Sequence, residues 1–377
     1  MDYTLRYNEL KTLFSTDAKK IYIPGSEITI NNCEFKSDPP LNGFSNSNDD
    51  IFPENTTFTY PVFSPGVSGN DNVILLFHGL NERSWIKYLT WAYYLCELTG
   101  SKVILFPISF HINRSPEAWK DPRKMSAVMS ERKTNYGEIS MLSFANVALS
   151  DRLSEDPLRF FYSGHRTVYD VSKLVKSIRN NENEIIPSSG RIDIFAYSIG
   201  AFLSQIIMMA NPDDLFTESR LFMFCGGSVF SNMNGESKLI MDKRAFDRIY
   251  KYYMRDFEPC IGKESPMFDF FNSNKLGLAF RSMVDFSRLS SFRQKVFNNL
   301  EEKMHSLSLT KDKVIPIEGI LKTMCFRGKY RNVEVADFPY EYSHENPFPI
   351  FLNGDASKVN SCFEKVMTKA ASFLSRE

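Results

Sequence analysis

The chain has 377 residues, 43% of them apolar and 24% charged, so it is long enough to bury a large core and too apolar to remain disordered. Its 45 Lys and Arg balance its 45 Asp and Glu, which leaves no net field to draw in nucleic acid or an anionic membrane. Six cysteines (Cys33, Cys96, Cys225, Cys260, Cys325, Cys362) stand far apart without a CxxC pair and read as reduced thiols, mostly buried.

The first residues carry acids and no continuous apolar run, so no secretory signal is visible and a cytoplasmic location is expected. Residues 1–70 read as strands and loops, with strands over 27–36 and 57–63 and an Asn/Asp/Pro-rich loop over 38–56. Val73–Phe77 is an apolar run of strand length, as a strand covered on both faces requires, and it ends in His78-Gly79. Over residues 84–99, Trp85, Tyr88, Leu89, Ala92, Leu95 and Cys96 fall at helical spacing, with Gly100 as the stop. Residues 102–107 form another apolar strand pattern.

Residues 111–163 break this rhythm with charges, Pro116 and Pro122, and read as an insertion that builds site walls. A helical stripe follows from Thr167 through Val168, Val171, Leu174, Val175 and Ile178. The stretch 192–210 is apolar enough to suggest a membrane span, yet Asp193, Ser198, Gly200 and Gln205 interrupt it, so a buried strand and then a buried helix from Ile199 are predicted. Another strand, 220–225, stops at Gly226-Gly227. The Phe- and Met-rich residues 228–303 read as lid helices, and strands at 305–309 and 332–336 with a helix over 355–374 complete one expected domain. Strand and helix periods thus alternate, as in a sheet covered by helices on both faces.

Ser198 sits in Phe-Ala-Tyr-Ser-Ile-Gly-Ala, between the strand and the helix. A serine is a useful nucleophile only where a base reaches it, and a strained strand-to-helix turn exposes its hydroxyl when small residues flank it two positions away. Ala196 and Gly200 meet that need, with alanine in the place that usually carries glycine. Ile199 follows the serine and offers a backbone N–H to a developing oxyanion. His78-Gly79-Leu80-Asn81 leaves an earlier strand, and Leu80 is expected to supply the second donor. The base must be one of five histidines, and His344 lies in a loop after the last strand. Asp312, directly after a strand, is the expected acid, with Asp337 in reserve. A capping serine, a satisfied His78 and a solvated Asp312 are the bland alternatives.

Together, His78-Gly79, Ala196-Tyr-Ser198-Ile-Gly200, Asp312-Lys-Val-Ile-Pro316 and Ser343-His344 resemble the α/β-hydrolase superfamily over roughly residues 55–377. The resemblance implies an α/β-hydrolase fold: a mostly parallel eight-stranded sheet flanked by helices, with a helical lid insertion over 228–303. It also implies Ser198, Asp312 and His344 as a triad acting through an acyl-enzyme on a carboxylic ester, a thioester or an amide, with no cofactor and a small acyl compound as the partner. His78, His111, Arg114 and Tyr197 are candidates for the substrate pocket, although packing roles suit His111 and Arg114 better. No HExxH or paired Cys/His spacing points to a metal, so none is expected. A catalytically inactive protein of this fold, binding a ligand or partner through its lid, is the competing reading.

Overall fold

The computed structural model describes residues 2–39, 44, 49, 52–66, 69–265, 267–326, 328–350 and 356–376. Among these residues nine strands form one sheet: β1 (Lys20–Tyr22), β2 (Thr29–Lys36), β3 (Thr57–Ser64), β4 (Val73–Phe77), β5 (Lys102–Leu105), β6 (Ile192–Tyr197), β7 (Leu221–Phe224), β8 (Met304–Leu309) and β9 (Val333–Ala336). Their spatial order is β1-β2-β3-β5-β4-β6-β7-β8-β9. The ladders from β5 to β9 are parallel, whereas β1, β2 and β3 pair antiparallel and β3 meets β5 antiparallel. This is the α/β-hydrolase fold. It carries nine strands rather than the expected eight, because the three-residue β1 adds itself to the edge of β2.

The reversal of β4 and β5 sets the geometry of the site. It brings β4 beside β6 in parallel register, with Phe77 opposite Ala196, so the turns leaving both strands open next to each other. Alternate side chains of these strands enter two cores. Val73, Leu75, Phe77, Ile194 and Ala196 face one, while Ile74, Leu76, Phe195 and Tyr197 face the other. Strands covered on both faces must be apolar throughout, and all residues of β4, β6 and β7 are buried.

The helices are α1 (Tyr3–Leu13), α2 (Ile86–Thr99), α3 (Pro122–Tyr136), α4 (Val147–Glu155), α5 (Leu158–Arg179), α6 (Ile199–Ala210), α7 (Lys243–Lys251), α8 (Phe257–Cys260), α9 (Phe268–Ser273), α10 (Lys275–Val284), α11 (Ser290–Asn299), α12 (Ile317–Thr323) and α13 (Ala356–Leu374). Helix α1 corrects the reading of the N-terminal region as strands and loops. It buries only Tyr3 and Leu10, so it shows no apolar stripe. Tertiary contacts hold it instead: Asp2 caps the Leu5 N–H at 3.0 Å, and the Tyr3 ring packs against Phe348 and Phe363.

Helix α5 begins at Leu158, so the scaffold resumes before residue 163; Ser163, Gly164 and His165 interrupt the apolar period and hide the first turns. Helices α7 to α11 lie between β7 and β8, and α9 and α10 turn phenylalanines inward. Phe271 and Phe280 each meet Phe161 of α5 at a ring separation of 4.8 Å. A buried Arg132–Asp242 ion pair, 2.7 Å, joins this excursion to α3.

The six cysteines are free thiols, and three of them rather than most (Cys96, Cys225, Cys362) are buried. Most of the expected 38–56 loop and the first residue of the expected 355–374 helix lie outside the described residues. Among the described residues no helix is long and apolar enough to cross a membrane.

Candidate active site

Ser198 ends β6 with φ 59° and ψ −123°, a conformation that costs a non-glycine residue about 1–3 kcal/mol and persists only where the surroundings impose it. The imposition is visible in two close approaches. A Cβ at Gly200 would lie 2.8 Å from the carbonyl oxygens of Phe77 and His78 and from Phe77 Cβ, and a Cβ at Gly226 would lie 2.3 Å from Ala201 Cβ. Only glycine lets α6 start this near the end of β4. The Ser198 N–H donates to the Phe224 carbonyl at 3.3 Å, which ties the turn to β7.

Ser198 Oγ lies 2.6 Å from His344 Nε2, and His344 Nδ1 lies 2.7 Å from Asp312 Oδ2. A carboxylate facing Nδ1 accepts only, so the ring proton sits on Nδ1 and Nε2 presents its lone pair to the serine. The other carboxylate oxygen of Asp312 accepts the N–H groups of Val314 and Ile315, both at 2.9 Å, so Asp312 is fixed on both sides. All three residues are buried. Asp337 is placed elsewhere: it is exposed and accepts the Tyr342 hydroxyl at 2.8 Å. Cys225 stands close to Asp312, and burial together with that carboxylate pushes its thiol well above the ordinary value. It stays a neutral filler and does not compete as a nucleophile.

The turn after β4 is braced from two directions. The Gly79 N–H donates to Tyr88 Oη at 2.9 Å, and that hydroxyl donates to Glu82 at 2.7 Å. Asn81, at φ 61°, donates through its side-chain amide to the carbonyls of Ala145 and Leu239, at 2.8 and 2.7 Å. Among the described residues the N–H groups of Leu80 and Ile199 have no acceptor. A recess of ≈ 280 Å³ bordered by Leu80, Asn81, Tyr197, Ser198, Ile240 and His344 gives solvent access.

The four pocket candidates separate. His111 lines an apolar cavity that runs past Leu80 and Ile199. His78 is fully buried away from both cavities: its Nδ1 donates to the Gly79 carbonyl at 2.8 Å and its Nε2 accepts the Ile108 N–H at 2.9 Å. Burial, then the neighbouring His111, holds its pKa well below the ordinary histidine value, so it is a neutral stitch between the ends of β4 and β5 rather than a substrate contact. Arg114 is likewise fully buried, paired with Asp170 at 2.7 Å and lying over the Phe58 ring at 4.2 Å, so it does not reach substrate. Tyr197 borders the recess, but its hydroxyl donates to the His344 carbonyl and its ring stacks on the His344 ring.

Sequence reading missed Glu82, Lys87 and Glu345 beside this site. Lys87 pairs with Glu82, donates to the Glu345 carbonyl at 3.2 Å, and lies 4.7 Å from the Tyr197 ring centre. Charged residues in a turn and a helix start carry no local signal that they converge on a distant histidine loop. Among the described residues no group of three His, Cys, Asp or Glu side chains is arranged to hold a metal ion.

Several solved structures are similar to this chain. Carboxyl esterase 2 from the mycorrhizal fungus Tuber melanosporum is 10% identical, with 98% of this chain and 97% of that one covered and a TM-score of 0.47. An esterase of Pyrobaculum calidifontis is 10% identical over 99% and 90% of the two chains, with a TM-score of 0.46. An esterase of Pyrococcus furiosus is 11% identical over 92% and 91%, with a TM-score of 0.42. No curated protein matches the sequence. The model of a family of unknown function (DUF6051) matches residues 42–375, and the chain belongs to that family.

Proposed function

We propose that the protein is a serine hydrolase that cleaves carboxylic esters through an acyl-enzyme. The observation that carries this reading is the continuous chain from Ser198 Oγ through His344 to Asp312, at 2.6 and 2.7 Å, set on a strained turn beside two free backbone N–H groups. Ser198 Oγ attacks the ester carbonyl while His344 Nε2 takes its proton, and the new O–C bond pushes the carbonyl electrons onto oxygen. The N–H groups of Leu80 and Ile199 bind that oxyanion, and Asp312 stabilises the imidazolium. When the C–O bond to the alcohol breaks, His344 returns the proton to the leaving oxygen. Water then repeats the sequence on the acyl-serine and releases the acid. An acceptor alcohol in place of water would give acyl transfer with the same residues.

The test is hydrolysis of p-nitrophenyl esters of graded acyl length by the wild-type protein and Ser198→Ala, together with fluorophosphonate labelling. Wild-type turnover and labelling that both vanish in Ser198→Ala are expected. A folded wild-type sample that neither turns over nor labels overturns the reading and leaves a ligand-binding protein of this fold.

A further inference from the structure

Behind Leu80 and Ile199 lies a cavity of ≈ 60 Å³ walled by Leu149, Phe160, Phe202, Leu203 and Phe280. Leu80 borders both this cavity and the recess at Ser198. The wall is otherwise mostly apolar, yet among the described residues it includes buried nitrogens without a partner, and such groups are expensive unless something pairs with them.

His111 is the first. Its Nδ1 lies 2.9 Å from the Ser109 carbonyl, which can only accept, so the ring proton is on Nδ1. Nε2 is left as a bare acceptor, buried and unpartnered. Burial holds the His111 pKa down to about 4, so the imidazole stays neutral at neutral pH. Arg152 is the second: its Nε is a buried donor without a partner. Its Nη2 is already paired with Asp49 at 2.6 Å, and its Cζ lies 3.7 Å from the ring centre of Phe110, the residue before His111. Arg152 is therefore paired, through an Asp49 that also meets Arg159 at 3.3 Å, and what remains on this wall is one hydrogen-bond donor and one acceptor. His165 on α5 adds a further unpartnered Nε2 to the wall, its ring stacked on Phe44.

A hydroxyl is a small group that both donates and accepts. We propose that this cavity selects an acyl group bearing a hydroxyl, which donates to His111 Nε2 and accepts from Arg152 Nε while the hydrocarbon lies along Phe160, Phe202 and Phe280. The inference rests on the reading of Ser198 as the nucleophile that carries the acyl group. A carboxylate suits the site less well, because Arg152 already pairs with Asp49 and His111 is neutral.

The experiment compares kcat/KM for p-nitrophenyl esters of unsubstituted, 2-hydroxy, 3-hydroxy and terminal-carboxy acids of equal chain length, in the wild-type protein and in His111→Phe. At one hydroxyl position kcat/KM is expected to exceed that of the unsubstituted ester by about tenfold or more, because a site built to hydrogen-bond a hydroxyl discriminates against its absence. That ratio should collapse toward one in His111→Phe. The comparison within the wild-type protein stands even where the variant does not fold. Hydrolysis of unsubstituted esters without any hydroxyl preference, or a preference for the terminal carboxylate, overturns the inference while leaving the hydrolase intact. Failure of every ester overturns both.

Discussion

The ring of Tyr197 lies nearly parallel to the ring of His344, centroids 5.4 Å apart and planes 19° apart, and its hydroxyl donates to the His344 carbonyl. Tyr197 thus grips the histidine by ring and backbone from the residue that precedes Ser198. Strand alternation explains how: Tyr197 points into the core under α2 while Ser198 turns outward, so one short segment presents Ser198 and supports His344.

Tyr197→Phe keeps the ring and deletes the hydroxyl, leaving a buried carbonyl unpaired. A loss of about 1–3 kcal/mol in stability is expected. Tyr197→Leu also removes the face against which the imidazole rests, so kcat should fall further than in Tyr197→Phe, with KM little changed, because orientation of the base matters most in the transition state. Urea denaturation and steady-state kinetics of the two variants check this. Equal kcat in both would show that the ring does not orient His344.

The two carboxylates weighed for the acid role differ in structure. Asp312 Oδ2 meets His344, whereas Asp337 faces Tyr342 at the surface. Asp312→Asn preserves an acceptor for the Val314 and Ile315 N–H groups but offers Nδ1 no carboxylate, so kcat should fall by roughly a thousandfold or more. Asp337→Asn should keep near wild-type turnover. Measured side by side on the best ester, a larger loss in Asp337→Asn would reverse the assignment.

Much of this architecture is legible in the residues themselves. Val73–Phe77, Ile192–Ala196 and the stripe in α13 declare their burial because each is apolar at the period its element requires. Gly200 declares the tight approach to β4 because no other residue fits it. The order Ser198, Asp312, His344 could be read, but the distances could not, since they depend on how three loops meet over the sheet edge. His78, just after a strand, looks like a site residue, and nothing local reveals that it will be consumed by Gly79 and Ile108; Arg114 holds the packing role that its loop also suggested, through Asp170. Helix α1 was invisible because its stability comes from Phe348 and Phe363, hundreds of residues away.

Histidines buried as neutral groups make stability depend on pH. An unfolded histidine titrates near pH 6.5, whereas burial lowers His111, His165 and His305 to about 4 in the folded protein. Between these values the unfolded chain binds more protons, so the unfolding free energy falls as pH drops through that window. For His111 alone the full effect is on the order of 3 kcal/mol. Urea midpoints should hold steady above about pH 7 and decline progressively from about pH 6.5 toward 4. A midpoint unchanged across that range would contradict the burial of these rings as neutral groups.

Arg114 and Asp170 form a buried ion pair at 2.7 Å, with side chains 0% and 4% exposed. Asp170 also accepts the Ser37 hydroxyl at 2.6 Å, and Arg114 donates to the carbonyls of Pro107 and Asn55, both at 3.2 Å, so the pair ties α5 to the loops after β2 and β5. Burial, the largest influence, lowers the Arg114 pKa to about 10, which leaves the guanidinium charged at neutral pH. Removing one partner strands the other charge away from water. Asp170→Asn and Arg114→Met should each cost about 3–5 kcal/mol, while the double variant, which strands no charge, should cost less than the sum of the two. Denaturation of the three variants measures the coupling. A double variant as unstable as the summed singles would mean that the two groups act independently, with the loss coming from their other hydrogen bonds.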